Sequence, residues 1–421
     1  MLKQIFKIIW KQRRTNSWIF AELLIVMGVL WFMADQLLVD THTYNLPLGY
    51  DIQNTWRLKL GNLNSQAPGY VLPEEKTTSE TDDLLRLMDQ IRLSEEVEEV
   101  CATYFSCPYS FGNSWTSIEP IDGDTTGLSS GSFHVRRVTP EYFTVFRVND
   151  KQGNSIIPQL SVTEGSMVIS ADLEKKFFGA QSGKGRKLRY PGSEEEIPVV
   201  AVSEPIRNSD YEISEPCLYT VLVGSGLREN VDYFSASKAE LCVRLKQEMS
   251  PEDMNRFLES ISERLTVNNL YVYGAKSFKD QRYDMIKTYE RKSKIKVSLM
   301  AFMLINVFFG IIGTFWLRTQ YRRGEIGLRV AVGSSKGGIY RFMNIEGVCL
   351  LITTLLPLLF FVVGMISADQ IASDRLSLSL WRLVTVTIAS YLLMGGMICL
   401  GIWLPARKAA SLPPAEALRY E

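Results

Sequence analysis

The sequence predicts a membrane protein: four transmembrane α-helices, with a large α+β extracytoplasmic domain inserted between helices 1 and 2. Three observations carry this. Four apolar runs are each long enough to cross the ~30 Å hydrocarbon core, which takes about 20 helical residues. The first two runs are separated by some 250 residues whose charge differs in sign from that of the flanks. That long segment mixes helical and strand periodicities, as a folded domain does.

Taken in order, residues 1–16 read as a cytoplasmic amphipathic segment, because Leu2, Ile5, Phe6, Ile8, Ile9 and Trp10 alternate with Lys3, Lys7, Lys11, Arg13 and Arg14. Residues 17–38 are the first span, and the weakest, since it carries Glu22 and Asp35. An acid one to two turns into a span must face protein or snorkel to the interface. Both alternatives stay open for Glu22. Val297–Leu317, Gly347–Ala368 and Leu383–Leu404 contain no charged residue. They define helix 2 (within a stalk-and-span segment, 291–318), helix 3 (347–368) and helix 4 (383–404). Helices 3 and 4 are joined by a short outer loop, 369–382.

Charge sets the orientation. Residues 40–290 hold 38 acidic and 26 basic side chains, a net of −12, while the whole chain has 46 of each. The excess positive charge therefore lies at the N-terminus, in 319–346 and in the tail 405–421. The positive-inside rule places those three in the cytoplasm and 39–290 outside. Arg291, Lys292, Lys294 and Lys296 sit on the opposite side to that rule, and read as a stalk at the anionic headgroups.

Within the large segment, Leu84, Leu87, Met88 and Ile91 recur at i, i+3, i+4 and i+7, one face of a helix. Ser250-Pro-Glu-Asp253 opens a second helix with an N-cap, a proline at the first position and acids in the first turn. Strand-like runs at 241–245 and 270–273 flank it, so the three form a β-α-β unit.

Composition excludes several functions. Zero net charge argues against a nucleic-acid partner. With only His42 and His134, a histidine zinc site or histidine acid–base chemistry has little to draw on, and no metal site is expected. Gly127-Leu-Ser129-Ser-Gly131 matches a nucleophile elbow, but a turn-rich stretch precedes it and a strand follows, so it reads as a loop. Gly179–Gly185 is one residue short of a P-loop and lacks the Ser/Thr after Lys184. No catalytic residue is expected. Of six cysteines, Cys349 and Cys399 fall inside spans, whereas Cys101, Cys107, Cys217 and Cys242 fall outside. Cys101 and Cys107 enclose a short loop and are a candidate disulfide in an oxidising compartment.

Four segments carry a family resemblance. Arg323-Gly-Glu325-Ile326-Gly-Leu-Arg329-Val-Ala331-Val-Gly333, followed by Ile339 and Glu346, resembles the coupling segment of MacB/FtsX-type ABC transporter permeases. The tail from Pro405 through Pro414, Glu416 and Arg419 resembles that family's closing motif. Val138-Thr-Pro-Glu-Tyr142-Phe143, and Val168-Ile-Ser170 with Phe178-Gly179 and Val199–Val202, resemble two of its outer stretches. Departures are Glu22 in helix 1 and Leu355-Leu-Pro-Leu-Leu in helix 3, where glycines are usual. The resemblance implies a multi-pass permease of the bacterial cytoplasmic (inner) membrane with both termini cytoplasmic. It would work as a dimer with a second copy or a paralogue, on a separate ABC ATPase subunit that holds the ATP and magnesium, and this chain would carry no cofactor of its own. Arg323, Glu325, Ile326, Arg329, Gly333 and Ile339 would form the ATPase-coupling element, moving the outer domain by mechanotransmission. Export or efflux, with a periplasmic adaptor as a further partner, is the expected role. The alternative is a membrane-anchored sensor, or a regulator of a cell-wall hydrolase or of lipoprotein release.

Overall fold

The structure of the protein is a computed structural model, and it describes residues 13–110, 114–121, 131–160 and 166–410. The segment 1–12, the glycine–serine loop at 127–130 and the tail residues Pro414, Glu416 and Arg419 lie outside the described residues. The chain divides into two compact units: Asn45–Thr288, and Met1–Tyr44 together with Tyr289–Glu421.

The chain enters through α1 (Arg13–Tyr44), which outlasts the apolar run at its C-terminal end. The α+β unit then builds an eleven-stranded mixed sheet from β1 (Thr55–Asn62), β2 (Val97–Tyr104), β3 (Trp115–Pro120), β4 (Gly131–Val138), β5 (Met167–Ser170), β6 (Lys187–Arg189), β7 (Ile197–Ser203), β8 (Cys217–Val221), β9 (Glu240–Leu245), β10 (Thr266–Val267) and β11 (Leu270–Ser277). The strand order is β10-β11-β1-β9-β2-β4-β3-β6-β7-β5-β8, and β8 also pairs with β4, so the second half closes on itself.

Two helices cover one face of the first half. They are α2 (Glu80–Arg92) and, after the short α3 (Tyr142–Val145) and α4 (Ile157–Leu160), α5 (Ala171–Phe178) and α6 (Gly224–Phe234), the helix α7 (Pro251–Ser260). Leu84, Leu87, Met88 and Ile91 of α2 and Met254, Phe257 and Leu258 of α7 pack on Leu58, Leu241 and Val243. Both helices start with a reciprocal capping box, Ser79 with Asp82 and Ser250 with Asp253. Each such cap contributes about 1 kcal/mol. The expected β-α-β unit is split: β1 pairs antiparallel with both β9 and β11, so it lies between the two strands that α7 connects. Ser170 caps α5, accepting from the Leu173 amide, and Gly179 ends that helix at φ +62°, which explains the Ser170 and Gly179 of the motif.

From β11 the chain runs into α8 (Phe278–Tyr321), then α9 (Arg323–Ala331), α10 (Lys336–Thr353), α11 (Leu355–Ser367) and α12 (Leu380–Ala410). Among the described residues, four stretches are long and apolar enough to cross a membrane: Ser17–Tyr44, Phe278–Tyr321, Lys336–Ser367 and Leu380–Lys408. Their facing sides make one core, with Leu23, Met27, Leu30 and Trp31 of α1 against Val307, Ile311 and Phe315 of α8 and Met394, Ile398 and Ile402 of α12. Their outward sides leave Phe302, Phe309, Phe360 and Leu392 more than half exposed. Such a surface is costly in water and suited to lipid. Gly347 lets α10 approach α12: a Cβ there would meet Ile402 Cδ1 at 2.5 Å.

Two segments depart from expectation. The third apolar run is two helices, broken at the buried Thr354, because Pro357 has no N–H and its ring crowds the carbonyl four residues back. Thr354 Oγ1 turns to the Leu351 carbonyl at 2.6 Å and the Tyr391 hydroxyl at 3.0 Å. Conversely, Pro405, expected in the tail, lies inside α12, which continues to Ala410.

Candidate functional site

The segment between α8 and α10 is built on one buried acid. Glu346, on α10, is only 2% exposed. Arg318 Nη1 donates to its Oε1 at 3.0 Å and Arg322 Nη1 to its Oε2 at 2.9 Å. Arg318 and Arg322 are four residues apart, so one helix face presents both. Helicity persists between them, since the Arg322 amide donates to the Arg318 carbonyl. A buried carboxylate needs such pairing, because an isolated ionised group is too costly to desolvate.

Arg322 also reaches outward. Its Nε and Nη2 donate to Glu325 at 2.8 and 3.1 Å, and Arg329 Nη2 donates to Glu325 Oε1 at 2.8 Å. These bonds, Arg322's first, hold the Glu325 carboxyl below the usual carboxylate range. Arg329 lies 4.2 Å over the Phe342 ring and Arg322 5.4 Å from it, which adds a cation–π clamp between α9 and α10. Glu346, Arg318, Arg322, Glu325 and Arg329 thus form a continuous relay from the helix core to an exposed helix. They line a small cleft, with Phe342 and Met343 among its walls.

The predicted coupling residues separate into three roles. Ile326 and Ile339 are buried in the helical core and act through packing. Gly333 takes φ +99° and makes the turn between α9 and α10, a conformation that excludes most side chains. Glu325 and Arg329, expected in the ATPase-coupling element, pair with each other within the chain, and Glu325 also with Arg322. Arg323 begins α9, and its side chain lies outside the described residues. The exposed face belongs instead to apolar groups: Tyr321, Leu328 and Val332 are all more than half exposed.

At the far ends of the spans a second set of charges was not anticipated. Arg382 Nε and Nη2 donate to the two oxygens of Asp35 at 2.8 and 2.6 Å, and Nη1 donates to the carbonyls of Ala372 and Leu376. Asp40 accepts from Lys296 and from Arg375, each at 2.8 Å. The sequence signal was present in Asp35, an acid inside an apolar run, but its partner lies 347 residues away. Lys296, read as a lipid-facing stalk residue, is therefore engaged with protein. Glu22 packs toward α8: a Cβ on Gly310 would sit 2.6 Å from its Oε1. Of its two alternatives, this favours the protein-facing one. Cys101 and Cys107, the candidate disulfide, are not bonded to each other in this structure. Cys101 lies opposite Cys242 in the β2–β9 register, and the Cys107 amide is held by Glu240.

No protein-family model matches the chain. Among curated proteins it is similar to the macrolide export ATP-binding/permease protein MacB of Chlorobium phaeobacteroides, 28% identical over 275 residues, which is 62% of this chain and 39% of that protein. MacB of Chlorobaculum tepidum is 34% identical over 115 residues, 27% of this chain and 17% of that protein. The chain is thus similar in sequence to MacB-type export permeases. The chain spans about two fifths, or less, of the length of these relatives. Among solved structures, the periplasmic region of MacB from Actinobacillus actinomycetemcomitans aligns at 14% identity and a TM-score of 0.33, covering 58% of this chain and 94% of that one.

Proposed function

We propose that this chain is the permease subunit of an ABC transporter of the mechanotransmission kind, serving export across a bacterial inner membrane. Both termini and 319–346 lie in the cytoplasm, and the α+β unit lies outside. A separate ATPase docks on the exposed Tyr321, Leu328 and Val332 face, and a second permease completes the dimer. One observation supports this above the rest: the ion-pair relay joins a short exposed helix, α9, to buried Glu346 on α10 and Arg318 on α8. Displacing α9 must then move two spans, because breaking either bond at Glu346 strands a buried charge. The runs Val297–Leu317, Gly347–Ala368 and Leu383–Leu404 carry no charge, which fits transmission of motion better than conduction.

The test is ATPase stimulation by the permease in nanodiscs. Glu325→Lys sets a cation between Arg322 and Arg329, so it should cut stimulation roughly tenfold, while stability changes by about 1 kcal/mol or less, as for an exposed pair. Leu328→Asp, outside the relay, should block docking itself. Wild-type stimulation by both variants would remove α9 from this role. Single cysteines at 65 and 335 check the orientation: an impermeant thiol reagent should label only the first in intact cells.

A further inference from the structure

Three of the four cysteines in the α+β unit meet at one place, although they are distant in sequence. Cys101 and Cys242 are directly opposite on β2 and β9. Cys107 comes within hydrogen-bonding reach of the Cys242 thiol through a tightly bent loop, in which two non-glycine residues, Phe105 and Tyr109, adopt φ of 52° and 55°. That loop is tied down by Glu240, whose Oε2 accepts the Ser106 and Cys107 amides at 2.9 and 3.0 Å and the Thr103 hydroxyl at 2.9 Å. Glu240 and Cys242 are two residues apart on a strand, so their side chains share a face. The carboxylate that holds the Cys107 backbone is therefore the same-face neighbour of Cys242. All three thiols are at least 97% buried, and burial pushes each of them up from the ordinary thiol range. Cys217 stands apart from this group, its amide bonded to Ser170 Oγ at 3.0 Å.

We propose that Cys107 and Cys242 are a disulfide-forming pair that staples the 105–109 loop to β9, with Cys101 as the neighbouring thiol. The proposal rests on the extracytoplasmic placement of this unit given above. Forming the bond removes one proton and one electron from each thiol. The two electrons reduce the disulfide of an oxidising thiol–disulfide carrier protein, by way of a mixed disulfide on one of the two cysteines. Because the pair is buried in the folded unit, oxidation takes place while the loop is still open. Closure then shields the bond from reductants. Pairing through Cys242 rather than between Cys101 and Cys107 follows from the loop: Glu240 directs Cys107 onto β9, not back along β2.

The full-length chain is purified in detergent with free thiols alkylated at lysis, digested without reduction and mapped by mass spectrometry. A linked Cys107–Cys242 peptide pair, with Cys101 and Cys217 alkylated, is expected. Reduction should then lower the unfolding temperature by roughly 5–15 °C, as for a bridge closing a long loop, and Cys107→Ser should abolish that shift. A second sample is fully reduced, refolded and oxidised with oxidised glutathione. If Cys107 and Cys242 pair there but are free in the cell-derived sample, the geometry stands and the extracytoplasmic placement is overturned. Free thiols in both samples, or a bridge joining Cys101 to Cys107 or involving Cys217, would overturn the proposal.

Discussion

The two units solve one problem, the buried charge, in different ways. In the helical unit every buried carboxylate just described is met by opposite charge from another helix or loop: Asp35 by Arg382, Asp40 by Lys296 and Arg375, Glu346 by Arg318 and Arg322. In the α+β unit buried acids are also met by opposite charge, Asp83 by Lys76 and Asp210 by Arg282, but buried arginines lean on backbone carbonyls. Arg244, 1% exposed, donates to the carbonyls of Val145, Gln53 and Asp51, and to the Asp51 carboxylate only at 3.3 Å. Arg207 donates to the carbonyls of Leu46, Asp210 and Glu212. Glu240 takes backbone amides together with Arg57. The cause is what each fold leaves unused. An α-helix consumes its own amides and carbonyls, so a charge among helices finds none to solvate it. Loops and strand ends leave such groups over. Arg382 confirms the rule from within the helical unit, since its two carbonyls come from Ala372 and Leu376, both outside any helix.

The largest effect should come from Arg382→Met, which leaves Asp35 buried and unpaired. About 3–5 kcal/mol of stability should go, read as thermal unfolding of the full chain in nanodiscs. Adding Asp35→Asn should restore most of it. In the α+β unit the same design should fail. Arg244→Met should cost about 2–4 kcal/mol through stranded carbonyls, and Asp51→Asn should recover little, since Asp51 is a minor partner. Equal rescue in the two units would break the distinction.

His134 gives a pH-dependent version. It is 4% exposed, beside Trp115 in an edge-on contact, and its Nδ1 has no hydrogen-bond partner. Burial, then Arg136, lower its pKa to about 4. The fold therefore holds the neutral form, while the unfolded chain takes up a proton near the ordinary value. Its stability contribution is complete above about pH 6.5 and is lost as pH falls toward 4, by up to about 3 kcal/mol. His134→Phe should flatten that part of the stability–pH curve. An unchanged slope would assign the acid sensitivity to other groups.

The smallest effect concerns Glu22. With its carboxylate against Gly310, Glu22→Gln should be nearly silent, and Glu22→Leu should cost about 1 kcal/mol because a branched side chain meets the α8 backbone. Equal behaviour of both variants in a thermal assay would return Glu22 to the snorkelling alternative.

What could be read from sequence divides along the same lines. The four apolar stretches, the helix faces at 84–91 and 254–258 and the Ser250 cap were all legible, since length, periodicity and capping are decided within about a dozen residues. The coupling segment was legible as a motif, and its intrachain pairing only in part. Glu325 stands at i+3 from Arg322 and at i−4 from Arg329, a local pairing, whereas nothing local told that Phe342 would engage Arg329. The hub, Glu346, was legible only as a member of that motif, with nothing in the sequence to say that two arginines at the end of the preceding span would meet it. The break at Thr354 was signalled by Pro357, which a reading by apolar length alone passes over.

By itself, then, the sequence determined which segments are helical and apolar, where the net charge lies and which residues begin and end the main helices. These properties follow from local backbone sterics, from side-chain polarity and from solvent. Only the tertiary structure decided that Asp35 meets Arg382, that β1 lies between β9 and β11, and that Cys107 comes to Cys242. Each of those depends on how far a helix is rotated or which strand edge is left open. Rotation and edge are set by the sum of many small packing contacts over the whole chain.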